Sequence, residues 1–213
     1  MLNRSTLPNA ITVARIVLTP VIFLLLFTPT FTSRFIAWLL FLAAAFSDLW
    51  DGHLARKYGW ISDFGKFFDP IADKLLLVAT FLPFYMLSRR PGSPTQLPFF
   101  GQLPLWVLLV VIGREALVTA IRSFAARRGM VIPAGPAGKL KAVFQNIFIG
   151  TTILWFALRT AGEDQGWAGR FWDGWQLFHA TVLLTSLAIA VVLTVYSMTV
   201  YLREWRRTVR AVL

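Results

Sequence analysis

Six apolar runs, each about as long as a bilayer core is thick, recur along this chain between breaks rich in proline, glycine and charge. They lie at about residues 10–27, 34–56, 69–87, 105–126, 138–158 and 175–201. At roughly 1.5 Å per residue such a run crosses about 30 Å of hydrocarbon as a helix. Lipid admits only helices or closed barrels, because every peptide group inside it must find its partner within the protein. Long runs without strict alternation predict an all-α integral membrane protein of six transmembrane helices, in one domain over residues 1–213. The breaks agree: Ser88 to Pro104 contains Pro91, Gly92, Pro94, Pro98 and Pro104, and Arg127 to Ala137 contains Gly129, Pro133, Gly135 and Pro136. The first run carries Arg15 and Pro20 and has no small-residue exit, so it reads as an uncleaved span rather than a signal peptide. A composition 57% hydrophobic and 15% charged points the same way.

The chain has 10 acidic residues, and four of them gather at the ends of two apolar runs. Asp48 and Asp51 close the second run, while Asp69 and Asp73 open the third. Acids in membrane segments are costly and mark function. Asp48, Asp51 and Ala55 share one helix face by spacing, with Gly52 beside them removing bulk, and Asp69 and Asp73 are one turn apart on the next helix. A short linker would make the two helices antiparallel neighbours and let all four carboxylates converge. Such a cluster needs cations, since adjacent carboxylates suppress each other's ionisation. Oxygen ligands without cysteine suit Mg²⁺ or Mn²⁺, and two such ions roughly 3.5–4 Å apart form a clamp for displacement at phosphorus. Plainer readings exist for the single acids. Asp69-Pro70 fits a helix start with an N-cap acid and proline at the first position, and Asp48 or Asp51 fits a counter-ion for Arg56 or Lys57.

The whole pattern reads D-x2-D-G-x2-A-R-x8-G-x3-D-x3-D, carried by Asp48, Asp51, Gly52, Ala55, Arg56, Gly65, Asp69 and Asp73. Eight residues at fixed spacing arise by chance at on the order of 10⁻¹⁰ per starting position. The pattern resembles the signature of the CDP-alcohol phosphatidyltransferases, with every fixed position present. The resemblance implies a six-helix membrane fold, commonly a homodimer, with two divalent cations held by the four acids. It further implies that Asp48, Asp51 and Asp69 are metal ligands, and that Asp73 is both a ligand and the general base for the attacking hydroxyl. By the same resemblance Gly52 and Ala55 leave room for the CDP moiety, Arg56 holds its pyrophosphate, and Asn9 and Thr12 touch the nucleotide. A base within hydrogen-bond reach is what a primary alcohol needs to attack phosphorus. His53 lies off the Asp48-Asp51-Ala55 face and is not expected to replace it, and His179 is expected to make an interhelical hydrogen bond.

A second constellation concerns the acceptor. Arg114 and Arg122 lie in the fourth run, and Lys139 and Lys141 open the fifth. An arginine that deep needs an anion. Glu115 is one candidate, which would make the set structural. The other is a phosphate-bearing acceptor held by Arg114, Arg122, Lys139 and Lys141, arginine forks being suited to phosphate oxygens. The stretch Gly113-Arg114-Glu115 through Arg122 to Gly129, then Gly138-Lys139-Leu140-Lys141 and Gln145, is similar to the branch of the family that makes phosphatidylglycerol phosphate. So is the opening Leu7-Pro8-Asn9-Ala10-Ile11-Thr12 with Arg15. Ala142 departs from that branch, where threonine is common. The resemblance implies CDP-diacylglycerol and sn-glycerol 3-phosphate as substrates, with CMP released. Two alternatives stay open: a relative using another acceptor, such as phosphatidylglycerol, inositol phosphate or serine, and a cation transporter whose acids form an ion path.

The net charge of +11 raises nucleic acid as a partner, yet the basic residues are spread between apolar spans, which fits anionic lipid and phosphate substrates instead. With an inside N-terminus, only Arg34, Arg89, Arg90, Arg159 and Arg170 of the 21 Lys and Arg fall outside. The positive-inside rule therefore places both termini and the acid cluster in the cytoplasm, most simply at a bacterial inner membrane. Trp167, Trp172 and Trp175 read as an interfacial belt, and Arg203 to Arg207 as an anchor on anionic lipid.

Overall fold

A computed structural model describes the backbone at residues 6–58, 63–127 and 136–212, and the side chains at 9–47, 68–125 and 138–207. Within them lie six helices: α1 (Thr6–Phe27), α2 (Phe31–Tyr58), α3 (Asp63–Leu87), α4 (Leu105–Arg127), α5 (Pro136–Gln165) and α6 (Arg170–Val212). Among the described residues extended pairing is limited to one isolated bridge, Leu97 with Gly101. The six-helix all-α architecture read from the apolar runs is the one observed.

The helices close a ring. α1 packs on α2 and α3, α2 on α5, α5 on α6, α6 on α4, and α4 back on α3. The ring's interior is filled with aromatic side chains away from the acid-bearing end. Phe81 meets Phe148 at 5.4 Å, and Phe84 meets Phe148 and Phe156 edge-on at 6.1 and 5.6 Å, an arrangement the ring quadrupoles favour. Gly150 lies where α5 meets α2, and a Cβ there would stand in ordinary contact, 3.4 Å from the Phe41 ring. Small residues are common at helix contacts in membranes, where packing has to replace the hydrophobic drive.

The segment between α3 and α4 is a stitched cap. Thr95 Oγ1 donates to the Leu87 carbonyl at 2.9 Å, Leu103 N donates to Ser88 Oγ at 2.9 Å, and Trp155 Nε1 donates to the Gln96 carbonyl at 2.9 Å. At the same end Trp172 stacks on Trp175 at 4.8 Å, and Trp175 on Trp155 at 5.9 Å. His179 Nε2 meets the Thr151 carbonyl at 2.7 Å, the bond from α6 to α5 expected of it. Arg34 is buried, its Nη1 donating to Thr160 Oγ1 across the α2–α5 contact.

Two helix bounds differ from those the apolar runs predict. Asp69-Pro70 does not start a helix, because α3 already begins at Asp63. The segment from Arg159 to Gly174 is mostly helical, α5 running to Gln165 and α6 starting at Arg170, with Gly166 and Gly169 at positive φ of 66° and 106° making the turn. Among the described residues four helices are long and apolar enough to cross a membrane, and the part of α2 with described side chains, Phe31–Ser47, is a further apolar stretch. α4 carries Arg114, Glu115 and Arg122 within its apolar length.

Candidate active site

α1 and α3 run side by side, and their contact is polar near the ends that carry the acids. Arg15 is only 3% exposed, yet its guanidinium reaches two carboxylates: Nη1 donates to Asp73 Oδ1 at 2.8 Å and Nη2 to Asp69 Oδ1 at 3.4 Å. Thr12, one turn earlier, donates its hydroxyl to the same Asp69 oxygen at 2.6 Å. Asp69 and Asp73 sit one turn apart, as their spacing predicts, and their side chains stay 46% and 54% exposed. The arginine is thus a buried floor beneath two accessible acids. The sequence pattern alone assigns Arg15 no role in the site and makes Thr12 a nucleotide contact. The signal for Arg15 was present, since the argument that a deep arginine needs an anion applies to it as it does to Arg114.

The second cluster comes from α4, α5 and α6. Glu115 accepts from Arg114 Nη1 at 2.8 Å, and Lys141 Nζ donates to the same Oε1. Arg114 Nη2 also donates to Ser197 Oγ at 3.2 Å. The internal counter-ion weighed for this set is real for Arg114 and Lys141. Arg122 and Lys139 differ from them: neither has a carboxylate partner among the described residues, and the Arg122 guanidinium lies over the Tyr201 ring at 5.7 Å.

One cavity of about 370 Å³ joins the two clusters, within the roughly 300–1,000 Å³ usual for small-molecule sites. Its wall includes Arg15, Asp73 and Lys74 on one side and Arg114, Glu115, Arg122, Lys139 and Lys141 on the other, with Gln145 and Asn146 beyond Lys141 on α5. Six cationic side chains face two carboxylates there, a surplus of four positive charges. Such a wall favours an anion, and Asp73 stands within it.

The remaining expected site residues, Asp48, Asp51, Gly52, Ala55 and Arg56, are in the last part of α2, outside the residues whose side chains are described, as is His53. Among the described residues no three acids or histidines gather as a metal centre. Asp69 and Asp73 nevertheless have the right chemistry for a hard cation: adjacent carboxylates, half exposed, with Asp73 at the cavity wall.

Residues 5–200 match the CDP-alcohol phosphatidyltransferase family. The chain is 39% identical over 153 residues to a protein named probable phosphatidylglycerophosphate synthase from Mycobacterium tuberculosis (strain H37Rv), covering 70% of this chain and 66% of the relative. It is 36% identical over 148 residues to a CDP-diacylglycerol--glycerol-3-phosphate 3-phosphatidyltransferase of Rickettsia prowazekii (strain Madrid E), covering 70% and 75%. A protein of the same name from Bacillus subtilis (strain 168) is 35% identical over 160 residues, covering 70% and 76%. The chain thus spans about two thirds of the mycobacterial relative's length.

Proposed function

We propose that this chain, which belongs to the CDP-alcohol phosphatidyltransferase family, transfers the phosphatidyl group of CDP-diacylglycerol to the primary hydroxyl of sn-glycerol 3-phosphate, giving phosphatidylglycerol phosphate and CMP. The observation that carries this reading is the single cavity in which Asp73 faces a surplus of positive charge. An acceptor with a phosphate at one end and a hydroxyl at the other fits that polarity. An acceptor without a terminal phosphate, such as serine, would offer Arg122 and Lys139 no dianion to hold. The relatives' names support the same pair of substrates.

In this mechanism Arg122 and Lys139 take the acceptor's phosphate, and Glu115 fixes Arg114 and Lys141 beside it. Asp73, oriented by Arg15, accepts the proton of the primary hydroxyl. The freed oxygen attacks the lipid-bearing phosphorus, the bond from that phosphorus to the CMP oxygen breaks, and CMP departs. Asp69, positioned by Thr12 and Arg15, completes the α3 half of the cation site, with Asp48 and Asp51 of α2 as the other half. Two divalent cations, Mg²⁺ or Mn²⁺, supply Lewis acidity toward the phosphoryl oxygens when bound. Gly52, Ala55, Arg56 and Asn9 remain the proposed CDP contacts. Thr12 is better read as a support for Asp69.

The helices long and apolar enough to cross a membrane make this an integral membrane protein. We place the cavity and both termini on the cytoplasmic side, where the basic residues concentrate, and take a homodimer as the working assembly. Supplying purified protein with labelled CDP-diacylglycerol and a panel of alcohols tests the acceptor. Glycerol 3-phosphate should release CMP; release only with another alcohol refutes the assignment. Removing one charge-assisted hydrogen bond to the phosphate costs about 1.5–3 kcal/mol. Arg122→Gln should therefore raise KM for glycerol 3-phosphate by roughly 10–100-fold, with KM for CDP-diacylglycerol unchanged.

A further inference from the structure

Among the polar side chains of the cavity that have no part in the mechanism above, Gln145 is deeply buried. Gln145 is 4% exposed, lines the cavity, and its Nε2 has no hydrogen-bond partner among the described residues. It follows Lys141 by one helical turn and precedes Ile149 by another, and all three are buried on the face of α5 that borders the cavity. An amide buried without a partner is costly and is kept where something else completes it. Its neighbours do not: Lys141 is turned to Glu115, and Arg114 is shared between Glu115 and Ser197.

The proposed acceptor carries one polar group that the other residues leave unassigned. Its phosphate has Arg122 and Lys139, and its primary hydroxyl has Asp73. The secondary hydroxyl at C2 lies between them and is both a donor and an acceptor, as a carboxamide is. We infer that Gln145 is the specificity-determining residue for that C2 hydroxyl, hydrogen-bonding it through the side-chain amide and selecting a glycerol backbone over a plain propyl one. This deepens the glycerol 3-phosphate reading and rests on it. A site built to bond a hydroxyl discriminates against the analogue lacking it, because the site's own polar group is then left unpaired.

The test compares sn-glycerol 3-phosphate with 3-hydroxypropyl phosphate, which lacks only the C2 hydroxyl, in CMP release by the wild-type enzyme and by Gln145→Met. The wild type should favour glycerol 3-phosphate in kcat/KM by about 10-fold or more. Gln145→Met, similar in volume but without the amide, should bring the two acceptors to within roughly threefold. It should do so by losing turnover on glycerol 3-phosphate while keeping that on the deoxy acceptor. A wild type indifferent to the hydroxyl overturns the inference, as does a variant that keeps the wild-type preference. Equal loss on both acceptors also overturns it, by assigning Gln145 to the fold alone. If the wild type releases CMP with neither phosphate acceptor but does with another alcohol, it is the underlying acceptor reading that fails.

Discussion

Asp73→Asn is expected to slow CMP release from CDP-diacylglycerol and glycerol 3-phosphate by about 10²–10⁴-fold, the usual worth of a positioned general base, in a chain that still folds and still takes up Mn²⁺. The substitution preserves shape and one oxygen, so Arg15 Nη1, now 2.8 Å from Asp73 Oδ1, retains an acceptor. What the amide loses is the capacity to take a proton. The buried Arg15 keeps its ion pair with Asp69, so the neutral amide leaves no buried charge without a counter-ion. Turnover and Mn²⁺ titration by electron paramagnetic resonance should be measured on the same preparation. Wild-type turnover removes Asp73 from the base role, and loss of Mn²⁺ uptake together with turnover leaves it a ligand only.

The architecture was legible because six apolar runs in lipid have few alternatives, and the helix ends went astray where local rules met tertiary packing. Pro70 illustrates this. Read as the first residue of a helix it is free of cost, whereas in the second turn of α3 it deprives the Lys66 carbonyl of its helical donor. The signature predicts four acids in helical register, and the structure places Asp69 and Asp73 one turn apart as the spacing requires. The cationic set was read as one group of four, but the structure divides it. Glu115 occupies Arg114 and Lys141, and only coordinates could show that Arg122 and Lys139 are clear of it. The largest omission was Arg15, since a motif built from residues 48–73 says nothing about a partner 54 positions earlier in the chain. That partnership exists only because α1 lies against α3.

Arg15→Met should be the most damaging change outside the signature. Methionine fills much of the same volume, so the loss is chiefly of charge and donors. Asp69 and Asp73 would then stand one turn apart with no fixed cation between them, and each could adopt other rotamers. Breaking a fully buried ion pair costs about 3–5 kcal/mol. Because both carboxylates here are about half exposed, solvent screening reduces this to about 1–2 kcal/mol, read as a lower unfolding temperature in detergent. The effect on turnover should be larger, about 10²-fold or more, since small misplacement of a reacting group is expensive. Arg15→Lys separates charge from geometry: one ammonium keeps the positive charge but cannot reproduce a fork reaching Asp73 and Asp69 together, so it should restore stability better than activity. A cycle with Asp69→Asn gives the decisive number. If Arg15 acts through the two acids, the double variant loses less than the sum of the single losses; strict additivity, or an Arg15→Met enzyme that melts and turns over like the wild type, means the buried guanidinium has no hand in placing the base.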